Sequence, residues 1–224
     1  MSGFLKSSIA KKVAMALSGL FLVIFLAQHL FINLTSVFSA DTFNELSHFM
    51  GTNPVVQYVA QPILIFGVLF HFIMGFVLEI QNRNARKIAY AKYNGGSNSS
   101  WMSRNMIYSG GFILIFLVIH FIDFWVPEIS IKFIEGDMSG LDTAGNYRYY
   151  DHVVHAFEPV WRTALYVVGF VFLALHLLHG FQSSFQSVGF NNKYSKALKG
   201  FTTAYAIIIP LGFIFIALYH HLNQ

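Results

Sequence analysis

The sequence predicts an all-α integral membrane protein, a single domain in which five transmembrane helices form one bundle. Of its 224 residues, 55% are hydrophobic and only 11% are charged, whereas about 25% of the residues in an average soluble domain are charged. The apolar residues fall in five blocks, each long enough to cross the roughly 30 Å hydrocarbon core of a bilayer as a helix. This composition is that of a chain solvated mostly by lipid.

The five predicted spans are separated by loops of alternating character. The spans cover approximately residues 13–38, 54–80, 105–127, 160–183 and 201–221. The first follows a basic N-terminal segment and is longer than the apolar region of a secretory signal peptide, so we expect it to remain as a span. A short acidic loop leads to the second span, and a basic polar loop leads to the third. A long acidic loop between Pro127 and Pro159 leads to the fourth, and a short basic loop leads to the fifth.

The distribution of lysine and arginine predicts the orientation of the bundle. Basic residues in short loops stay on the cytoplasmic side of a membrane. Eleven of the fourteen basic residues lie in the N-terminal segment, the second loop and the fourth loop: Lys6, Lys11, Lys12, Arg83, Arg86, Lys87, Lys92, Arg104, Lys193, Lys196 and Lys199. The first and third loops are mainly acidic. We therefore predict a cytoplasmic N-terminus and a C-terminus on the opposite side.

Composition also limits the chemistry of any site. The chain has no cysteine, which excludes disulfides, thiolate-held iron–sulfur clusters and cysteine-based zinc sites. A metal must therefore be held by nitrogen or oxygen. The formal charge of +4 is spread over short loops rather than along one polar face, so we expect no nucleic acid partner.

Four consecutive spans each offer a candidate histidine ligand: His29, His71, His120 and His176. Ionisable side chains within lipid are costly and usually functional. Any one of these histidines, taken alone, could equally well hydrogen-bond a neighbouring helix. Four in consecutive spans make ligation the stronger hypothesis, because neutral imidazole is a common metal ligand.

The depths of these histidines sort them into two pairs. Because a helix rises about 1.5 Å per residue, His29 and His120 lie about 25 Å from the cytoplasmic ends of their spans. By the same measure, His71 lies about 18 Å from the cytoplasmic end of its span, and His176 lies about 21 Å inward from the outer end. The first two belong to the outer half of the membrane and the other two to the inner half. Two haem groups, each held by two histidines, would account for this arrangement.

Neighbouring residues bear on this hypothesis. Gly67, Gly169 and Gly180 lie near the ligand faces and leave room for a flat group, although ordinary close helix packing explains any one of them. Zinc fits less well, because its structural sites need four ligands at one level. His179 lies one turn after His176 and is its main competitor as a ligand. We expect the other histidines to be solvated or interfacial: His48, His152, His155, His220 and His221.

Three carboxylates lie near the predicted outer surface, namely Glu45, Asp123 and Glu158. Groups of this kind could exchange protons with a quinone, but a snorkelled or loop carboxylate is the more ordinary interpretation. Trp101, Trp125 and Trp161 lie where aromatic residues mark membrane interfaces.

Short motifs around the histidines resemble those of one family. The motif QHLF in the first span, HxxxG in the fourth and the single histidines of the second and third resemble the five-helix, two-haem cytochrome b subunit of succinate:quinone oxidoreductases. This group contains menaquinone-linked succinate dehydrogenases and fumarate reductases. The resemblance covers nearly the whole chain, and the stretches HGFQSSFQSVGF and WMSRN are similar to those of the shorter b558-type members. Each motif is short, whereas the order and spacing of the four histidines are specific.

The resemblance implies the roles of the histidines. It implies that His29 and His120 hold a distal haem b, and that His71 and His176 hold a proximal haem b that faces a cytoplasmic iron–sulfur subunit. In the family, the ligand of the fourth span stands four residues before one glycine and thirteen before another.

That register selects His176, followed by Gly180 and Gly189, over His179. One fumarate-reductase branch has a glutamate two residues before this ligand, linked to transmembrane proton movement. Here that position is Ala174, so a compensating proton path along the fourth span is in doubt.

The resemblance also implies partners and a location. It implies an anchor in the bacterial cytoplasmic (inner) membrane, a flavoprotein with FAD and an iron–sulfur protein on its cytoplasmic side, and menaquinone as the carrier in the lipid. Succinate or fumarate chemistry would take place on the flavoprotein, so we expect no catalytic residue in this chain. For the haem propionates we expect Arg162 at the outer end and Arg83, Arg104 or Lys193 at the inner end.

Two other functions remain open. The cytochrome b of a membrane hydrogenase or formate dehydrogenase would also carry several intramembrane histidines, but usually two on one helix. A haem-free transporter could use histidines as proton relays. Such a transporter usually has broken helices or inverted repeats with carboxylates at the midplane. Pro62 and Pro210 interrupt two spans without any inverted symmetry.

Overall fold

The computed structural model describes residues 7–84, 105–190 and 193–224. In these residues five helices are long and apolar enough to cross a membrane: α1 (Ser8–Phe38), α3 (Val56–Asn84), α4 (Met106–Phe133), α6 (Val160–Ser187) and α7 (Ser195–Leu222). Two shorter helices, α2 (Ala40–Thr52) and α5 (Tyr149–Phe157), lie in the first and third loops. The fold is therefore the all-α, five-helix membrane bundle that the composition predicts.

Each predicted span is confirmed, and most of the helices extend beyond the predicted limits. α7 begins at Ser195 rather than at residue 201, α6 ends at Ser187 rather than at residue 183, and α4 continues to Phe133 rather than ending at residue 127. Hydropathy marks only the part of a helix that lies in lipid. Helical hydrogen bonds continue into the polar ends, where the pattern carries no signal.

Four of the long helices form a ring, and the fifth packs outside it. α1 contacts α3 and α6, α4 contacts α6, and α7 lies against α6 and α1, whereas α3 and α4 make the loosest contact in the ring. Glycines allow the close approaches: Gly67 lies against the ring of Phe21, and Gly169 lies against the ring of Phe116. A side chain at either glycine would overlap these rings, as expected for small residues at membrane helix interfaces.

α4 continues through Pro127 because another residue donates a hydrogen bond to the carbonyl that this proline leaves without a donor. Proline has no N–H, so the carbonyl of Asp123, four residues earlier, loses its usual helical donor. The segment Phe121–Trp125 forms a wider π-helical turn, and Nε2 of His152 donates to the Asp123 carbonyl at 2.7 Å. His152 therefore joins α5 to α4. It was expected to be solvated or interfacial, and it is partly buried.

α2 and α5 cover one end of the bundle, which we call the capped end. Ser39 ends α1 in an extended conformation, and its side chain accepts a hydrogen bond from the backbone of Thr42, so α2 begins at once in a new direction. The backbone N–H of Tyr150 donates to the side chain of Asn44 at 2.8 Å, which ties α5 to α2. The opposite end, where Lys12 of α1 and Lys196 and Lys199 of α7 are exposed, we call the basic end.

A buried ion pair fastens the capped end. The side chain of Lys132 is only 2% exposed, and its Nζ lies 2.8 Å from a carboxylate oxygen of Glu128 and 2.6 Å from the carbonyl oxygen of Gly51. Arg148 donates to the same carboxylate at 3.1 Å. Burial, together with the Glu128 carboxylate, raises the pKa of the neighbouring Tyr149 to about 12. The cluster joins α4, α2 and the start of α5.

Glu128→Gln tests the importance of this cluster. Removing the charge leaves Lys132 buried without a carboxylate, and breaking a buried pair costs about 3 to 5 kcal/mol. We expect a clear drop in the midpoint of thermal unfolding in detergent. The control is Glu79→Gln, which breaks the exposed pair with Arg83 and should leave the midpoint nearly unchanged. Equal effects of the two variants would contradict this account of the capped end.

Candidate functional site

The first pair of histidines meets in the half of the bundle that lies toward the capped end. His29 of α1 and His120 of α4 face each other with ring centroids 5.8 Å apart and ring planes at 84°. Phe25 stacks on His29 at 5.4 Å, and Phe116 stacks on His120 at 6.0 Å. We call this arrangement the outer pair. It joins the two residues that depth alone had paired.

The second pair meets nearer the basic end. His71 of α3 and His176 of α6 have ring centroids 6.3 Å apart and ring planes at 69°. Gly19 lies beside His71, so that a Cβ there would be 3.3 Å from the ring, and Gly110 lies beside His176 at 3.7 Å on the same measure. We call this arrangement the inner pair. It too is the pair that depth predicts.

The spacing within each pair suits two imidazoles that share one metal ion. Metal–imidazole bonds are about 2 Å long, so two rings on opposite sides of an ion have centroids about 6 Å apart. The observed separations are 5.8 Å and 6.3 Å. As whole residues, the four histidines are of intermediate exposure. Among the described residues, histidine and acidic side chains form no group of three or more that could hold a metal.

The two pairs lie at different levels along the bundle. Ser18 of α1 contacts His71, so it marks the level of the inner pair on the helix that carries His29. Eleven residues separate Ser18 from His29, which corresponds to about 16 Å along a helix and about three full turns. Both side chains therefore project from nearly the same face of α1, one above the other.

A serine hydroxyl contacts each histidine of the inner pair. Oγ of Ser18 lies 3.1 Å from Nδ1 of His71, and Oγ of Ser109 lies 3.2 Å from Nδ1 of His176. The outer pair has no such support. Nδ1 of His29 lies 3.4 Å from the amide nitrogen of Asn33 on its own helix, and Nδ1 of His120 is buried with no hydrogen-bond partner among the residues that the structure describes.

Our sequence analysis missed these serines, although a repeat in the sequence points to them. Residues 15–29, MALSGLFLVIFLAQH, and residues 106–120, MIYSGGFILIFLVIH, are identical at eight of fifteen positions. The repeat aligns Ser18 with Ser109, and it aligns the two histidines of the outer pair with each other. The repeat indicates the two serines, whereas the positions of ionisable residues alone do not.

The repeat extends to the second helix of each half. HFIMGF in α3 and HLLHGF in α6 share a histidine, a glycine and a phenylalanine in the same register. α1 and α3 thus correspond to α4 and α6. Both histidine pairs join equivalent residues of the two halves, as in parallel repeats related by a two-fold axis along the membrane normal. Such an axis would pass between the two rings of each pair.

Two histidines lie at the end of α7, and the first of them is more buried than we predicted. His220 is only 2% exposed, and its Nε2 lies 2.8 Å from Oγ of Ser36 in α1. Nδ1 of His221 donates to the carbonyl of Phe157 at 2.9 Å. The expectation that His220 is solvated or interfacial is wrong, because α7 packs against α5 there, whereas His221 is partly exposed. His155 is exposed as expected and contacts Glu158 at 2.6 Å.

Asp123 belongs to a buried cluster beside the outer pair. Its side chain is 5% exposed, lies 3.6 Å from the guanidinium of Arg162 and accepts a hydrogen bond of 2.8 Å from the hydroxyl of Tyr166. The ring of Tyr166 lies 6.2 Å from that of His120. The carboxylate is therefore neutralised within the bundle and is not a solvated loop group.

The remaining predicted residues lie apart from the pairs. Glu45 is exposed on α2, Arg83 pairs with Glu79 on α3, and Nζ of Lys193 lies over the ring of Tyr194 at 5.1 Å. His179 is partly buried one turn beyond His176, and no ring contact joins it to His71 among the described residues. Trp101 and Arg104 lie outside the described residues.

A groove of about 490 Å³ separates α3 from α4 near the basic end. Its lining includes the apolar side chains of Phe76 and Phe112 and the polar side chains of Arg83 and Tyr108. It follows from the loose contact between these two helices. The groove lies on the basic side of His71, so it borders the half of the bundle that contains the inner pair.

No protein-family model, curated protein or solved structure matches this chain. The likeness to the two-haem cytochromes therefore rests on the motifs quoted above and on the order of the histidines.

Tyr166→Phe tests the cluster beside the outer pair. The change removes a donor to a buried carboxylate, which costs about 1 to 3 kcal/mol. We expect a lower midpoint of thermal unfolding in detergent. Tyr58→Phe is the control, because Tyr58 is 65% exposed on α3 and should leave the midpoint unchanged. An unchanged midpoint in Tyr166→Phe would show that Asp123 does not depend on this hydroxyl.

Proposed function

We propose that this chain is the membrane-anchor cytochrome b subunit of a succinate:quinone oxidoreductase, a succinate dehydrogenase or fumarate reductase, in the bacterial cytoplasmic membrane. The observation that carries the proposal is the meeting of four histidines from four helices in two pairs, about 16 Å apart along the bundle by the helical rise. One pair of opposed imidazoles suits one haem iron. Two pairs at two levels suit two haems between the faces of a membrane.

The histidines would act only as ligands of the haem iron. His29 and His120 would hold one haem b, and His71 and His176 would hold the other. Two imidazole ligands for each haem would favour electron transfer over oxygen binding, and each bound haem would supply a one-electron carrier. The surrounding chain would set the potentials through hydrogen bonds to the imidazoles and through burial.

The two ends of the bundle would serve different partners. Lys193, Lys196 and Lys199 are in the fourth loop and at the start of α7, on the side expected to face the cytoplasm. The inner pair is the nearer one to that side, so it would exchange electrons with an iron–sulfur subunit that carries a flavoprotein with FAD. The outer pair would lie farther along the same route, and menaquinone would accept or supply electrons from the lipid.

Dicarboxylate chemistry would lie on the partner rather than on this chain. In this chain, the buried carboxylate of Asp123 is already neutralised by Arg162 and Tyr166. The choice of succinate or fumarate as the partner's substrate rests on the family resemblance. The pairing of the histidines supports the two-haem cytochrome.

Haem content in paired alanine variants tests the ligand assignment. We expect two haems b per chain in the purified complex, measured by a reduced-minus-oxidised spectrum against protein concentration. His29→Ala and His120→Ala should each lose one haem, and their double variant should lose no more. Combining His29→Ala with His71→Ala should lose both, because the two residues belong to different pairs.

His179→Ala is the matched control, because this histidine lies on the same helix as His176 and outside both pairs. It should keep both haems. A preparation without haem would overturn the electron-transfer proposal and favour a transporter. Reduction of the haems by hydrogen or formate but not by succinate, in membranes of the native host, would keep the cytochrome and overturn the assignment to succinate:quinone oxidoreductases.

A further inference from the structure

We propose that Ser18 and Ser109 are positioning residues for the inner pair, and that they fix the tautomer in which His71 and His176 present Nε2 to a metal. The proposal rests on the proposed function insofar as the metal is haem iron. The tautomer itself follows from the hydrogen bonds and does not require any bound group.

The argument begins with the single proton of each serine hydroxyl. Oγ of Ser18 lies 2.8 Å from the carbonyl oxygen of Met15, and Oγ of Ser109 lies 2.9 Å from that of Met106. A carbonyl oxygen only accepts, so two oxygens this close must share a proton, and the only one present belongs to the serine. Each hydroxyl therefore donates to the carbonyl three residues earlier.

The histidine must then be the donor in its contact with the serine. Once the hydroxyl proton is committed, Oγ can only accept, so Nδ1 of His71, at 3.1 Å, and Nδ1 of His176, at 3.2 Å, must carry a hydrogen. A neutral imidazole has one N–H. Nε2 is consequently the unprotonated nitrogen in both rings, and it is the nitrogen that can bind a metal.

This hydrogen bond also changes the ligand. A histidine that donates its second nitrogen to an oxygen atom becomes a more basic ligand with a fixed ring orientation, and loss of such a partner typically costs 10-fold to 100-fold in metal affinity. A more basic imidazole stabilises oxidised iron more than reduced iron. The serines would therefore lower the reduction potential of the group held by the inner pair.

The effect is confined to one pair. Neither His29 nor His120 contacts a serine hydroxyl: the former has only the amide of Asn33 near Nδ1, and Nδ1 of the latter has no partner among the described residues. Both pairs consist of histidines. The serine hydroxyls therefore make the surroundings of the inner pair different from those of the outer pair.

Within the inner pair, the two serines should act alike. They occupy equivalent positions in the repeat, three residues after a methionine and one before a glycine. Each contacts the histidine of the next spanning helix in its own half of the bundle, at nearly the same distance. Two single substitutions should therefore have similar effects, and the double substitution should have about their sum.

A third serine provides a matched control. Oγ of Ser36 donates to the carbonyl of Asn33 and contacts Nε2 of His220 at 2.8 Å, which repeats the same motif away from both pairs. Ser36→Ala should lower stability as Ser18→Ala does, but it should leave the potentials unchanged. Any general effect of removing a serine that contacts a histidine appears in this control.

The first test is a redox titration of the haems in the whole complex, followed in visible spectra. Ser18→Ala and Ser109→Ala should each raise the midpoint potential of the haem that His71→Ala removes, by similar amounts, and leave the other haem unchanged. Ser18→Thr, which keeps a hydroxyl, should restore the original potential. No shift, a downward shift, or an equal shift of both haems would overturn the proposal.

The second test does not depend on haem. Full-length protein with ¹⁵N-labelled histidine, prepared without haem in bilayers, should show several rings with protonated Nδ1. Two of them should have resonances that change in Ser18→Ala and in Ser109→Ala respectively. Protonated Nε2 in both rings would overturn the proposal. If the chain binds no haem at all, the proposed function fails, and this measurement alone decides the role of the serines.

Discussion

The rest of the structure depends on how imidazole rings are accommodated inside hydrocarbon. An uncharged imidazole still has one donor and one acceptor, and lipid satisfies neither. The chain places these rings in pairs drawn from different helices, 5.8 Å apart in the outer pair and 6.3 Å apart in the inner pair. Four helices must then approach closely and in register. Gly67 and Gly169, which lie against aromatic rings, and the stacking of Phe25 and Phe116 on the outer pair follow from this requirement.

The internal repeat explains why the pairs form between these particular helices. Two helical hairpins, α1 with α3 and α4 with α6, have the same order of serine, glycine and histidine, so a two-fold arrangement brings like residues together. α7 lies outside this arrangement and packs on α6 and α1. The symmetry ends at the capped end, where the third loop contributes α5 and the Lys132, Glu128 and Arg148 cluster. Buried ion pairs close that end, whereas Lys12, Lys196 and Lys199 are exposed at the basic end.

Hydropathy and helical rise were sufficient to predict the five spans and both histidine pairs, because depth in a membrane is nearly linear in residue number. They could not predict what surrounds a side chain. His152 and His220 were expected to be solvated or interfacial, but His152 donates to the carbonyl freed by Pro127, and His220 contacts the hydroxyl of Ser36. Asp123 was expected near the surface and is buried against Tyr166. These contacts join elements that are distant in sequence, so no local pattern reports them, and only the repeat could have indicated Ser18 and Ser109.

The most direct test of the central claim is to locate iron in crystals of the complex by anomalous diffraction at the iron absorption edge. The account predicts two iron peaks within this chain, one between His29 and His120 and one between His71 and His176, separated by about 16 Å along the bundle. A single peak, a peak beside His179, or no iron within the bundle would contradict it.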